Sequence, residues 1–253
     1  MIWYLGFAAI QNRKELFKMK SNLIVNPGKK EIVESGGKKF ICRAIRTPVV
    51  TTHDNLEDII RNFVSPAAEP GDVVFLSEKM VACTEGRAYP VDEIKAGAAA
   101  RFLSRFVTRT PYGIGLAMPQ TMQCAIYEAG LPKILAAAAV GAVGKFFHQK
   151  GWFYRIAGEK VAAIDGPCSY TLPPYNKYVV LAPADSEGTA RQVSKWLGGK
   201  PVLIVDANDL GCNILGKSDQ GLDSELYLNL LRQNPLGQST QCTPAGIFRP
   251  AAQ

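Results

Sequence analysis

Apolar and polar positions along the chain form short strand-like runs and longer helix-like patterns. Four runs are short and rich in β-branched or aromatic residues, as strands are: residues 40–45, 73–76, 178–182 and 202–205. Three stretches carry apolar residues at helical spacing: residues 55–64, 118–129 and 189–197. Because strands and helices interleave without a regular βα rhythm, the pattern predicts an α+β fold with a mixed sheet.

The middle of the chain gives three further predictions. A helix is expected over residues 91–109, with Arg101, Arg105 and Arg109 on one stripe. That stripe is typical of a solvated face, and an anion-binding face is the alternative. Residues 131–147, rich in Ala, predict a buried helix packed closely through Ala and Gly and too short to span a membrane. Two aromatic-rich strands are expected around Gly151.

Two aspartates follow apolar, strand-like runs. Asp165 ends the run that starts at Val161, and Asp206 ends the run that starts at Val202. A carboxylate at the end of a strand lies where the chain turns and a ligand can reach it. Two such carboxylates form an oxygen-only site that suits Mg²⁺ or Mn²⁺. The alternative is that each aspartate caps the following turn or helix.

The positive charge of the chain is concentrated at its beginning. Residues 1–46 carry ten Lys and Arg and three Glu, so they hold the whole net charge of +7. We therefore predict a basic N-terminal extension at residues 1–39 and one domain at residues 40–253. A solvated arm is the expected role of the extension, and a nucleic-acid or membrane contact is the alternative.

The six cysteines are widely spaced and include no C-x-x-C pair, which argues against structural zinc. Neither a secretory signal nor a basic patch interleaved with aromatic residues is evident. The sequence therefore predicts a cytoplasmic protein with free thiols and with neither a nucleic-acid nor a membrane partner.

Several motifs, taken in order, resemble the coenzyme F-420:L-glutamate ligase family, the γ-glutamyl ligases of the deazaflavin coenzyme. They cover about residues 40–250 and comprise Gly71–Val74 with Thr84–Arg87, Ala163–Gly166, Leu181–Asp185, Val202–Asn208 and Gly237–Arg249. The last motif is similar to a degenerate form of the family's Gly-rich phosphate loop and closing strand.

This resemblance implies an intertwined α+β homodimer that forms a γ-glutamyl amide bond through an acyl phosphate. L-glutamate and a small anionic carboxylate would be the substrates, with GTP as co-substrate and Mg²⁺ or Mn²⁺ as cofactor. The alternative is a non-catalytic ligand-binding protein that retains the ligase scaffold.

The resemblance also assigns site residues, although it singles out no catalytic residue. Asp165 and Asp206 match the metal ligands. The predicted nucleotide-binding residues are Glu78, Lys79, Asn208, Gly237, Gln238, Ser239 and Thr240. The arginine stripe is assigned to the acidic substrate. Cys83 stands where the family has a nucleotide-contacting Lys, and Gln238 replaces an acidic residue, so weaker nucleotide binding is expected.

Overall fold

The computed structural model describes residues 22–107, 115–149, 151–169, 171–209, 211–237 and 240–251. The chain divides into two compact units. The first unit is formed by Met1–Thr84 and Asp185–Gln253, and the second unit by Glu85–Ala184.

Nine strands and nine α-helices lie within the described residues. The strands are β1 (Leu23–Ile24), β2 (Ile32–Ser35), β3 (Lys38–Ile45), β4 (Val73–Ser77), β5 (Ala88–Pro90), β6 (Tyr178–Val180), β7 (Val202–Asn208), β8 (Gly211–Lys217) and β9 (Ala245–Pro250). The helices are α1 (Leu56–Ile59), α2 (Glu78–Thr84), α3 (Ala98–Leu103), α4 (Pro119–Ala129), α5 (Leu131–Phe146), α6 (Trp152–Ala157), α7 (Glu159–Ala162), α8 (Ser186–Trp196) and α9 (Ser224–Leu231). The predicted α+β class with a mixed sheet is confirmed.

The first unit is built on a seven-stranded sheet in the order β1-β3-β9-β4-β7-β8, with β2 also paired to β3. The pair β4–β7 is parallel, and the other pairs are antiparallel. The strands β1 and β2, which come from the predicted N-terminal extension, pair with β3. The boundary at residue 39 stays a prediction.

Both faces of this sheet are buried, which explains why its central strands read as continuous apolar runs. Val74 and Leu76 of β4 face one core, together with α1 and α8. Phe75 belongs to the core on the other face, where it stacks on Phe248 with ring centroids 4.4 Å apart. Alternate residues of β4 therefore pack into two different hydrophobic cores.

Asn55 caps the first helix, because its Oδ1 accepts hydrogen bonds from the N–H groups of Glu57 and Asp58. After α1 the chain continues as one turn of π-helix, Ile60–Val64. The end of the predicted helix at residue 64 is thus also confirmed.

The second unit is mainly helical, and the prediction of two strands around Gly151 is wrong. The residues on both sides of Gly151 form α5 and α6, not strands. Gly141 and Gly144 let α6 approach α5 closely, since a Cβ at these positions would lie 3.1 Å from Phe153 Cβ and 3.0 Å from Trp152 Cγ.

The run before Asp165 is also helical and not a strand. It contains α7 and a turn, and its residues Val161 and Ile164 are buried in the second unit's core. Gly158, with φ +101°, separates α7 from α6. Four apolar residues taken alone do not reveal the helix, because a short apolar run fits a strand equally well.

The predicted helix over residues 91–109 is shorter than expected. A single 3₁₀ turn at Val91–Glu93 precedes α3, and a second turn, Ser104–Phe106, follows α3. Gly97 lies at the N-cap of α3, where its N–H donates to Gln123 Oε1 at 2.9 Å. Glycine favours a helix boundary over a helix interior.

The helix α5 has the predicted position, but it is not a buried helix. Its buried residues are Ile134, Ala137 and Gly144, whereas Leu135, Val143 and Phe146 are exposed. Among the described residues no single helix is long and apolar enough to cross a membrane; α4 and α5 meet the test only together, with a 116° bend between them.

Candidate functional site

Three strands of the first unit end at the same edge of its sheet. The strands β3, β4 and β7 run in the same direction, because β9 is antiparallel to both β3 and β4 while β4 and β7 are parallel. All three therefore end at the same edge, and β9 begins there. In sheets that contain parallel strands, ligands commonly bind beyond the carboxyl ends of those strands.

Glu78 and Lys79 lie at this edge, directly after β4. They begin α2, and the Lys79 N–H donates to Ser77 Oγ at 3.3 Å. Glu78 is buried, with 4% of its surface exposed, whereas Lys79 is exposed. The Lys79 side chain is therefore accessible to a ligand in solution, whereas the Glu78 side chain lies in the interior of the first unit.

Asp206 lies at the same edge but inside β7, which corrects the prediction that it ends the strand. β7 continues to Asn208 because β8 pairs with it, and Asp206 is opposite Asn213. Asn208 Oδ1 accepts from the Gly211 N–H at 3.0 Å and so closes the β7–β8 hairpin. Asn208 therefore has a structural contact in addition to its predicted nucleotide-binding role.

Asp209 joins two neighbouring segments of the first unit. Its Oδ1 accepts hydrogen bonds from Asn234 Nδ2 and from Lys29 Nζ, each at 2.9 Å. The hydrogen bond from Asn234 and the contact with Lys29 lower the pKa of the Asp209 carboxyl. This carboxylate holds the hairpin end against the segment that leads to Gly237.

A buried hydrogen-bond network holds the closing segment, which consists of residues 235–237 and 240–244 before β9. Asn26 Nδ2 donates to Pro235 O at 2.8 Å and to Thr243 Oγ1 at 3.0 Å, and Thr243 Oγ1 donates to Leu236 O at 2.7 Å. Gly237 has φ +82°, and a Cβ there would lie 2.9 Å from the Gln241 side chain. The segment thus requires glycine at position 237.

A cavity of about 540 Å³ opens between this closing segment and the end of β3. Its lining includes Arg46, Thr47 and Thr240, the last a predicted nucleotide-binding residue. The Thr47 N–H donates to Cys242 O at 2.8 Å. Burial raises the pKa of the Cys242 thiol, and the nearby positive charge of Arg46 partly opposes that shift.

Arg46 and Thr47 were missed by the sequence analysis, although a signal was present. They are the first polar residues after the strand-like run that ends at Ile45. The same reasoning that selected Asp206 applies to them, but only acidic residues were considered at strand ends.

The other predicted metal ligand, Asp165, belongs to the second unit. Its N–H donates to Val180 O and its carbonyl accepts from the Val180 N–H, each at 2.9 Å, so that its backbone bridges to β6. The residue is exposed. The backbone position of Asp165 is therefore fixed while its side chain faces solvent.

Arg101 and Arg105 line a cavity of about 690 Å³ in the second unit. Arg105 lies in the 3₁₀ turn after α3, and the spacing of four residues still places both side chains on that cavity. Arg109, Gln238 and Ser239 lie outside the described residues, so their predicted roles stay predictions.

The donor set at the first unit's edge suits a hard cation. Asp206 and Glu78 supply carboxylate oxygens, which are the ligands that Mg²⁺ and Mn²⁺ prefer. No cluster of three or more His, Cys, Asp or Glu exists within the described residues. Two carboxylates are fewer ligands than a dedicated metal site supplies, and Mg²⁺ that is bound by one or two carboxylates keeps several waters.

The architecture and the carboxylates at the sheet edge define an α+β protein with a candidate site for anions and hard cations. The model of the family "F420-0:Gamma-glutamyl ligase" matches residues 44–208, about two thirds of the chain. The chain belongs to this γ-glutamyl ligase family. A comparison with curated proteins gives no match.

Proposed function

We propose that the protein is a nucleotide-driven ligase that joins L-glutamate to a small anionic carboxylate. The convergence of three strand ends at one sheet edge, with Arg46 and Thr240 on a cavity beside it, supports this proposal most directly. Family membership supports the ligase class, and GTP is the expected co-substrate.

In the proposed reaction a carboxylate oxygen of the acceptor attacks the γ-phosphorus of the nucleotide. The bond from that phosphorus to its bridging oxygen breaks, and an acyl phosphate forms as the nucleoside diphosphate leaves. The glutamate amine then attacks the acyl carbon, phosphate leaves, and the amine gives up a proton. Activation is needed because a free carboxylate is a poor acyl donor.

The first unit's residues have distinct roles in this scheme. The Arg46 guanidinium and the exposed Lys79 bind phosphate oxygens, since cations beside transferring phosphoryl groups stabilise the charge that develops there. Thr240 and Gly237 shape the cavity wall. Asp206 and Glu78 would hold the divalent metal, which neutralises phosphate charge when bound. Asp165 as a second metal ligand rests on the family resemblance.

The acidic substrate is assigned to the second unit. Arg101 and Arg105 line its cavity, and Arg109 is the third member of the predicted stripe. Guanidinium groups match carboxylates in geometry and in charge.

A homodimer is also proposed, with α5 in the interface. Phe146 is 80% exposed, and Leu131, Leu135 and Val143 of the same helix are exposed too. Several exposed apolar residues on one helix commonly mark a protein–protein interface.

One observation favours the non-catalytic alternative. Cys83 is buried, with 3% of its surface exposed, so it cannot replace the phosphate contact of the Lys that the family has there. Under this alternative the scaffold binds ligands without turnover.

The test is phosphate release from GTP and from ATP, with L-glutamate and a panel of carboxylate acceptors. We expect release that needs both acceptor and glutamate, and its loss in Asp206→Asn but not in Asp58→Asn, an exposed control in the same unit. Mn²⁺ titration of Asp206→Asn and Asp165→Asn then examines each proposed ligand separately. No turnover with either nucleotide, combined with no Mn²⁺ binding, would support the non-catalytic reading.

A further inference from the structure

Part of the cavity beside Arg46 is formed by residues that precede the family-matched region. Ile24, Asn26 and Pro27 line this cavity of about 540 Å³ in the first unit. The match to the family model begins only at residue 44. One wall of the candidate nucleotide site therefore comes from a segment that family membership does not account for.

This N-terminal segment joins the two sides of the cavity. On one side, β1 pairs with the end of β3, and the Arg46 N–H donates to Asn22 O at 2.8 Å. On the other side, Asn26 Nδ2 donates to Pro235 O at 2.8 Å and to Thr243 Oγ1 at 3.0 Å. These two acceptors belong to the closing segment and lie 209 and 217 positions away in the sequence.

The neighbours of Asn26 fix the orientation of its side-chain amide. Pro235 O is a carbonyl, which only accepts hydrogen bonds, and Thr243 Oγ1 gives its one hydrogen to Leu236 O at 2.7 Å. Both partners of Asn26 therefore need a donor, and Nδ2 carries the two hydrogens that this arrangement requires. A side chain with a single donor hydrogen holds only one of the two points.

Asn26 is also not placed for stability alone. It is 2% exposed, and its Oδ1 accepts no hydrogen bond from the residues that the structure describes. A buried acceptor without a partner costs free energy. Natural proteins tolerate such costs mainly at functional sites. The two contacts with the closing segment are what the residue provides in return.

We propose that Asn26 is a positioning residue of this cavity. It holds Pro235 and Thr243 in place, and through them the wall that carries Thr240 and Cys242. A wall that is ordered before a ligand arrives binds more tightly, because less freedom is lost on binding. That the ligand is a nucleotide rests on the proposed function, whereas the positioning of the wall does not.

The position of the wall is tested without any ligand, through alkylation of Cys242 by iodoacetamide in the full chain. Cys242 lies in the closing segment, lines the cavity and is partly exposed. Mass spectrometry of its peptide gives the rate. In Asn26→Ala this rate should rise at least about fivefold, because a released segment opens locally more often.

Asn22→Ala is the matched control, since it makes the same substitution in the same segment. Asn22 Nδ2 donates to Phe63 O at 2.6 Å, and the residue does not line the cavity. The Cys242 rate should change by less than about twofold in this variant. Thermal melting of each variant checks that it folds.

Nucleotide binding gives a second measurement, by calorimetry with GTP and Mn²⁺. Asn26→Ala should weaken binding by about tenfold, whereas Asn22→Ala should weaken it by less than about twofold. Thr243→Val removes the hydroxyl at nearly constant size and should weaken binding too. The double variant should lose less affinity than the product of the two single losses, because both changes remove the same contact.

Equal Cys242 rates in the wild type and Asn26→Ala would overturn the proposal, and so would equal rises in Asn26→Ala and Asn22→Ala. An unchanged affinity for GTP in Asn26→Ala would overturn it as well. If Asn26→Ala does not fold, the same comparisons are made with Thr243→Val. A wild type that binds no GTP would refute the proposed function, and the Cys242 rates would still decide the role of Asn26.

Discussion

Ser77 and Val205 are partners in the parallel register of β4 and β7. The residues that follow them therefore lie on neighbouring strand positions at the same edge of the sheet, where Glu78 begins α2 and Asp206 continues β7. The Ser77 N–H also donates to Pro244 O at 2.8 Å, which brings the closing segment to this edge. Strand pairing thus brings residues that are distant in sequence to the same edge of the sheet.

Replacing Arg46 with Gln should weaken nucleotide binding by roughly ten- to a hundredfold, because a charge-assisted hydrogen bond is worth about 1.5–3 kcal/mol. Calorimetry with GTP and Mn²⁺ measures this. Arg191→Gln is the control, since Arg191 is exposed on α8 of the same unit and pairs with Glu187. Equal affinity in the wild type and Arg46→Gln would remove Arg46 from the nucleotide site.

Replacing Gly237 with Ala should reduce nucleotide affinity in addition to stability. A positive φ costs a non-glycine residue about 1–2 kcal/mol, and the added Cβ also meets Gln241 at 2.9 Å. Gly198→Ala is the matched control, because Gly198 has φ +69° and open space around its Cβ. Chemical denaturation should show a loss for both variants, with the larger loss in Gly237→Ala, whereas only Gly237→Ala should bind nucleotide less tightly.

The sequence predicted the central sheet strands well because each is an uninterrupted apolar run between turn residues. β4 and β7 are buried on both faces, and β-branched residues between flanking Gly and Pro favour a strand over a helix for runs of this length. The short helix α7 was missed because the four apolar residues before Asp165 fit a strand equally well. Residues 211–217 and 224–231, which form β8 and α9, were not predicted.

Only part of the site could be predicted from the sequence. Asp206 was selected because it follows an apolar run and Thr240 because the motif around it resembles a family, and both lie in the first unit. Arg46 also follows an apolar run, but its proximity to Thr240 depends on the β3–β9 pairing, which links residues some 200 positions apart. Long-range pairing of this kind is not visible in local pattern.

The buried thiol of Cys42 should make the protein less stable in alkaline solution. Burial raises the pKa of this thiol from 9.0 to about 12, with a small opposing effect of Gln233. Above pH 9 the unfolded chain loses the proton that the folded chain retains, so the contribution of Cys42 to stability is complete below pH 9 and is lost as the pH rises.

Comparison of the wild type with Cys42→Ala isolates this effect from the titration of Lys and Tyr. Above pH 9 the wild type should lose stability more steeply than the variant, and the difference in slope should approach about 1.4 kcal/mol per pH unit near pH 10.5, where the unfolded thiol is almost fully ionised. Urea denaturation at several pH values measures the difference. Parallel pH profiles would show that the Cys42 thiol does not titrate differently in the two states.

A single charge on α5 should dissociate the proposed homodimer. In the part of the chain that the structure describes, twelve large apolar residues are exposed; eleven lie in the second unit, and the other is Ile32. Phe146→Glu places a charge in the proposed interface, where desolvation of an unpaired carboxylate opposes association. Ile32→Glu is the control, because Ile32 is 58% exposed in the first unit.

Light scattering at micromolar concentration should show a dimer for the wild type and for Ile32→Glu, and a monomer for Phe146→Glu. Thermal melting separates dissociation from unfolding, since Phe146 is 80% exposed and its replacement removes little packing within one chain. Obligate dimers usually bury more than about 2,000 Å² and dissociate only at low concentration. A monomeric wild type would refute the dimer, and a dimeric Phe146→Glu would move the interface away from α5.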